Sequence, residues 1–146
     1  MKKILTLAIV LFSASLFSQI ELVETSKTEV VSQISYVYLE KEGENEYHLF
    51  YKNMNSVAHE YVNFSFKNLD NDIEKLYTIL ASGFVDVPRD PLKMKANGEI
   101  VWLNYYYNNV DGITTLTIEQ ILSLDPEVKT KSRPLTADDI DKLFNK

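Results

Sequence analysis

Polar and apolar residues alternate with a period of two along much of the chain, a pattern typical of β-strands that bury one face. Residues 28–40 and 46–53 are rich in β-branched and aromatic side chains, and a polar segment with one glycine separates them. This arrangement predicts a β-hairpin, and 60–68 predicts a third strand. If the turn closes symmetrically, Tyr36, Tyr38, Leu49 and Tyr51 share one face, and Val37, Leu39, His48 and Phe50 share the other.

The period changes to that of an α-helix after the third strand. Apolar residues recur at 73, 76, 77, 80 and 84, which places them along one side of a helix. Asp70 is a suitable N-cap, and Gly83 is suitable for ending the helix. One amphipathic helix is therefore predicted over 69–84, followed by a loop that contains two prolines.

Asn97-Gly98 is the strongest short signal for a hairpin in the chain. A two-residue turn fixes the register of the strands on either side, so Ala96 should pair with Glu99, and Lys93 with Trp102. One face of this hairpin then carries Leu92, Met94, Val101 and Leu103, continued by Tyr105 and Tyr107, and is predicted to be buried.

The C-terminal third of the chain predicts one more strand and a short helix. The strand begins at Ile113, and the segment 123–134 is predicted to be a loop. Thr136 and Asp139 have nearly the spacing and chemistry of a capping box, which predicts a helix start.

Together these patterns predict an α+β fold. We expect one antiparallel sheet of five to six strands, in the approximate order βββ-α-βββ-α, with the long helix packed on one face. The sequence DIEKLY at 72–77 has a close counterpart in DIDKLF at 139–144. Internal duplication would explain this similarity, and so would convergence of two amphipathic helices. The predicted core comprises Val62, Phe64, Phe66, Ile73, Leu76, Tyr77, Leu80, Phe84, Met94, Val101, Leu103, Leu116, Ile140 and Leu143.

The N-terminus has the layout of a secretory signal peptide: two lysines, an uncharged run over 4–17 and small residues before a polar segment. The uncharged run is shorter than the roughly 20 residues of a membrane-spanning helix. We therefore predict a cleaved signal peptide over 1–18, a single α+β domain over 19–146, and a periplasmic or extracellular destination for a protein that is not integral to the membrane. The layout looks bacterial.

Charge narrows the range of partners. The chain has 15 basic and 21 acidic side chains, and removing Lys2 and Lys3 leaves 13 − 21 = −8. An acidic protein is poorly suited to binding nucleic acid through bulk charge, so no nucleic-acid partner is expected.

The second face of the Asn97-Gly98 hairpin is the candidate binding site. It carries Lys93, Lys95, Trp102, Asn104 and Tyr106, together with Ile100. Two interpretations remain open. The lysine stems could simply cover the indole and stabilise the sheet, or the rings could form an aromatic platform for an unknown protein, a peptide or a glycan.

The sequence offers little material for catalysis. It contains no cysteine, two histidines without the spacing of metal ligands, and four glycines, too few for the usual phosphate-binding loops. No catalytic residue, metal site or cofactor is predicted.

Three functions remain. The first is a non-catalytic binding or inhibitor-like module that uses the aromatic outer face. The alternatives are a small hydrolase that uses two carboxylates, and a self-associating structural protein, a homo-oligomer that pairs through 113–120 as an edge strand.

Overall fold

The computed structural model describes residues 26–58, 60–122 and 128–146. The predicted signal peptide and His59 lie outside the described residues. Within those ranges, no helix is long and apolar enough to cross a membrane.

The described part of the chain folds as four strands and a helix, and then repeats this order. Two four-stranded antiparallel sheets result, with strand orders β1-β2-β3-β4 and β5-β6-β7-β8. The predicted α+β class is confirmed, but the single sheet of five to six strands is wrong, as is the order βββ-α-βββ-α. The elements are β1 (Thr28–Ile34), β2 (Val37–Glu42), β3 (Glu46–Lys52), β4 (Tyr61–Lys67), α1 (Asp72–Val85), β5 (Leu92–Ala96), β6 (Glu99–Tyr107), β7 (Thr114–Ile121), β8 (Lys129–Lys131) and α2 (Ala137–Leu143).

Two strands account for the difference in strand count. The segment predicted as one strand over 28–40 is a hairpin, in which β1 pairs with β2 across a turn at Ser35-Tyr36. Tyr36 adopts a φ of 66° in this turn, a left-handed conformation that is uncommon for a residue other than glycine. The second missed strand, β8, lies in the predicted loop and has only three residues.

The register of the β5–β6 hairpin is confirmed at every predicted pair, from Ala96 with Glu99 to Leu92 with Leu103. The faces predicted for the first hairpin are wrong. Val37 pairs with Tyr51, and Leu39 with Leu49, so these four side chains share the buried face. Tyr38, His48 and Phe50 lie on the opposite face, because the turn between β2 and β3 has three residues (43–45) and pairs Glu42 with Glu46, which shifts the register by one residue from symmetric closure.

Helix α1 begins differently from the prediction. Asn71, with a φ of 56°, is the N-cap in place of Asp70. The carboxylate of Asp72 accepts hydrogen bonds from the backbone N–H groups of Leu69 and Asp70, and the side-chain oxygen of Asn68 accepts one from Ile73. The predicted end of the helix at Gly83 is also wrong, because Gly83 is buried inside the helix.

The capping box of α2 is present. The Thr136 hydroxyl accepts a hydrogen bond from the Asp139 N–H, and the Asp139 carboxylate accepts one from the Thr136 N–H. Both bonds satisfy N–H groups that a helix start otherwise leaves without a partner.

Replacing Thr136 with alanine is therefore expected to lower the free energy of unfolding by about 1 kcal/mol. Chemical denaturation measures this loss, and Thr136→Ser is the control, since serine retains the accepting hydroxyl. Equal losses in both variants would contradict the capping role.

Each helix contacts the sheet that the other half of the chain forms. Helix α1 contacts β6 of the second sheet, and α2 contacts β1 and β2 of the first. The helices also contact each other through the two similar sequences: the Tyr77 hydroxyl donates to Asp141, and the Tyr77 and Phe144 rings lie 5.6 Å apart. Each half of the chain thus covers part of the other half's sheet with its helix.

One hydrophobic cluster joins both sheets and both helices, and all the residues predicted for the core belong to it or pack against it. A buried polar contact crosses between the sheets within this cluster. The Tyr51 hydroxyl, from β3, donates to Gln120 on β7 at 2.8 Å and lies 2.6 Å from the Thr130 hydroxyl on β8. Because every buried polar group needs a partner, these contacts favour one arrangement of the two sheets.

Candidate binding surface on the outer face of the second sheet

The outer face of the second sheet is the side turned away from the hydrophobic cluster. Cross-strand pairing places Lys93 opposite Trp102, Trp102 opposite Glu119, and Glu119 opposite Lys131, so one row crosses all four strands. The neighbouring row brings Lys95 opposite Ile100, and Ile121 opposite Lys129. The face is thus mixed aromatic, aliphatic and basic.

Trp102 lies at the centre of the first row and is half-buried. The Lys93 ammonium lies 4.5 Å from the centroid of its ring, a cation–π distance. Ile100 and Ile121 are 44% and 38% exposed, and with Lys93 and Trp102 they line a shallow depression of about 450 Å³. Lys93 therefore covers part of the indole, and the aliphatic side chains beside it remain accessible.

The predicted site residues do not all meet at one point. Asn104 is half-buried, and Tyr106 is 68% exposed. Both continue the outer face along β6, but neither lines the depression beside Trp102. Lys95 is exposed and instead lines a separate groove against α1. The structure therefore brings together Lys93 and Trp102, with the other three on either side.

The charge of this face contrasts with that of the whole chain. Lys93, Lys95, Lys129 and Lys131 lie on it, and in the described residues of its strands Glu119 is the one carboxylate that pairing places among them. The complete chain has a net charge of −6. Four lysines against one glutamate make the face locally basic, and such a local field attracts negatively charged groups.

The sequence did not reveal a second aromatic surface, on the outer face of the first sheet. Tyr38 stacks on Phe50 with ring centroids 4.6 Å apart, and the Tyr61 ring lies 5.5 Å from that of Tyr38. Burial, assisted by the nearby charge of Glu40, raises the pKa of Tyr38. The correct pairing of β2 with β3 would have predicted this cluster, but the sequence does not show that three residues close the turn between these strands.

His48 lies beside this cluster, and its two ring nitrogens both face oxygen atoms. Nε2 is 2.9 Å from a carboxylate oxygen of Glu42, and Nδ1 is 3.3 Å from the amide oxygen of Asn63. Glu46 approaches the same Nε2 at 4.0 Å. Among the residues that the structure describes, no group of three or more His, Asp or Glu side chains is arranged to hold a metal ion.

The proposed edge strand for self-association lies in the interior of the sheet. β7, which contains most of the segment 113–120, pairs with β6 on one side and with β8 on the other. Leu116 is also bridged by Leu135. The backbone of β7 is therefore not open to a second copy of the chain, and the prediction of an edge strand there is wrong.

The chain matches no protein-family model, and neither the curated proteins nor the solved structures include a significant match.

Proposed function

We propose that this protein is an exported, non-catalytic binding module that uses the outer face of its second sheet. The observation that carries the proposal is the accessible depression beside Trp102, lined by two exposed isoleucines and by Lys93. Binding surfaces typically have an aromatic and apolar centre surrounded by a polar rim. The N-terminal sequence pattern supports export.

The charge of the face favours an acidic partner. The lysines around Trp102 would attract carboxylate groups at long range, and the apolar depression would then hold a sugar ring or an apolar side chain. An acidic peptide and an acidic glycan both have this chemistry. In this proposal the five predicted residues have three roles. Trp102 and Tyr106 provide apolar contact. Lys93 and Lys95 provide positive charge, and Asn104 provides hydrogen bonds.

The fluorescence of Trp102, the sole tryptophan, tests the proposal directly. Polyglutamate and polygalacturonate serve as acidic peptide and acidic glycan probes, and dextran serves as the uncharged probe. We expect at least one acidic probe to shift the emission, and Lys93→Glu to weaken this binding by about tenfold at low ionic strength, because it reverses a charge in contact with the indole.

Lys142→Glu is the matched control, because Lys142 is an exposed lysine on α2 and does not belong to the outer face. It makes the same change in net charge as Lys93→Glu. The proposal fails if no acidic probe changes the Trp102 emission, or if the Lys142 variant loses as much affinity as the Lys93 variant.

A further inference from the structure

A groove lies between α1 and the adjoining edges of the two sheets, separate from the depression beside Trp102. Its floor is formed by buried apolar residues from β4, α1 and β5: Phe64, Leu76 and Met94. Ile79, which is 39% exposed, forms one wall. The groove has a volume of about 450 Å³, within the range of small-molecule sites. We call it the α1 groove.

The rim of the α1 groove is polar and carries three lysines and one carboxylate. Asp72 and Lys75 neutralise each other, since their charged atoms lie 3.3 Å apart, and Lys75 also pairs with Asp70 at 3.2 Å. Backbone hydrogen bonds from Asp70 and Leu69 lower the pKa of Asp72 and so favour its charged form.

The other two lysines of the rim form no ion pair among the described residues, although Glu46 lies opposite Lys67 in the pairing of β3 with β4. In the part of the chain that the structure describes, neither Lys67 nor Lys95 has a carboxylate within 4.0 Å. Both are exposed, one at the end of β4 and the other on β5. Three lysines against the two aspartates that pair with Lys75 give 3 − 2 = +1 around an apolar floor, in a chain whose net charge is −6.

We propose that the α1 groove binds a long-chain carboxylate, with the hydrocarbon chain on the apolar floor and the carboxylate between Lys67 and Lys95. An apolar chain gains free energy by displacing water from the accessible parts of Phe66 and Ile79, which line the groove beside the buried floor. The charged head group needs positive charge near solvent, and the rim supplies it. An uncharged apolar ligand would leave the two lysines without a partner. The α1 groove shares Lys95 with the outer face, but its lining and that of the depression beside Trp102 have no residue in common, so this proposal does not depend on the first.

Calorimetric titration with dodecanoate, below its critical micelle concentration, tests the proposal, and dodecanol is the uncharged analogue. The methyl group of Met94 reports on the floor in methyl-labelled protein. The methyl group of Met54, exposed and outside the groove, is the internal reference. We expect dodecanoate to bind and to shift the Met94 signal while the Met54 signal stays in place.

Two variants separate the floor from the rim. Lys67→Glu/Lys95→Glu is expected to weaken dodecanoate binding by about tenfold or more while leaving dodecanol nearly unaffected, because it reverses only the head-group charges. Ile79→Gln is expected to weaken both ligands by about threefold, because it removes apolar contact from the wall. Its exposed position on α1 should tolerate the change.

Lys27→Glu/Lys142→Glu is the matched control, since both lysines are exposed, lie outside the groove and give the same change in net charge. Three outcomes would overturn the proposal: no binding of dodecanoate, binding without a Met94 shift, or equal weakening by the control and rim variants. These outcomes leave the Trp102 test untouched, because that test uses different ligands and the Lys93 variant.

Discussion

Replacing Gly83 with alanine is expected to lower the free energy of unfolding by about 2 kcal/mol, although alanine is the better helix former. Gly83 is buried in α1 against the ring of Tyr105 from β6, and an added Cβ atom would overlap the Cζ and Cε atoms of that ring. The close approach of helix and strand thus requires a residue without a side chain.

The Tyr105 ring has little freedom to move away. Its hydroxyl donates to the backbone oxygen of Leu80 at 2.6 Å, and Phe84 packs edge-on against it with centroids 5.3 Å apart. Accommodating a methyl group would therefore cost both contacts or separate α1 from β6. The higher helix propensity of alanine stabilises the folded protein by at most about 1 kcal/mol, so the steric cost of the overlap with Tyr105 is expected to dominate.

Urea denaturation followed by circular dichroism measures the effect. Ser82→Ala is the matched control: Ser82 is the neighbouring residue, is exposed, and donates only to the backbone oxygen of Ile79, so a change within about 0.5 kcal/mol is expected. Gly83→Ala/Tyr105→Leu should be more stable than the sum of its single changes predicts. A Gly83→Ala variant as stable as the wild type would refute the close contact.

Gly83 also illustrates where a sequence pattern misleads. A glycine near the end of an amphipathic segment usually ends the helix, and nothing local distinguishes that role from a packing role. The deciding residue, Tyr105, is more than twenty positions away and on another element. In contrast, the β5–β6 register was predictable because the two residues Asn97-Gly98 determine it locally.

The separation of β1 from β2 was not predictable for the same physical reason. The turn that separates β1 from β2 has Tyr36 in a left-handed conformation, where glycine or asparagine would be the usual signal. Contacts from distant residues accompany it: the Lys52 ammonium lies 4.7 Å from the centre of the Tyr36 ring, and the Tyr36 backbone oxygen accepts a hydrogen bond from the Lys52 N–H. Tertiary contact thus supports a turn that the local sequence does not indicate.

The candidate surface was predictable in part. Pairing from the Asn97-Gly98 turn brought Lys93 opposite Trp102, and their contact follows from that register. The two isoleucines show how far prediction from the sequence extends. Ile100 could be placed on the same face from the hairpin register. Ile121 lies beside it only because β6 pairs with β7, and no short turn determines that pairing. The α1 groove combines residues from three elements, and sequence patterns carry no information about how such elements adjoin.

The stability of the protein is expected to fall steeply above about pH 10, because Tyr51 is buried and Tyr105 is half-buried, both in their neutral form. Burial raises the pKa of Tyr105 to about 12 and raises that of Tyr51 further still. An unfolded chain releases both phenol protons near pH 10, whereas the folded chain retains them. The stabilisation is therefore complete below about pH 10 and declines as the pH rises.

The free energy of unfolding should decline by at most about 1.4 kcal/mol per pH unit for each tyrosine. The part that comes from Tyr105 should be lost near the folded pKa of that residue, about 12. Denaturation at neutral pH and at several values above about pH 10 measures the slope. Tyr51→Phe/Tyr105→Phe is expected to flatten it, since phenylalanine fills nearly the same volume without an ionisable group.

Part of the slope should persist in this double variant, because burial raises the pKa of Tyr38 and the hydrogen bond to Asp141 raises that of Tyr77. At neutral pH the double variant should be less stable than the wild type, because Gln120 and Thr130 lose the hydroxyl that joins the two sheets. The wild-type and variant curves should therefore converge as the pH rises. Parallel curves over the same range would show that the two phenols remain accessible to water in the folded protein.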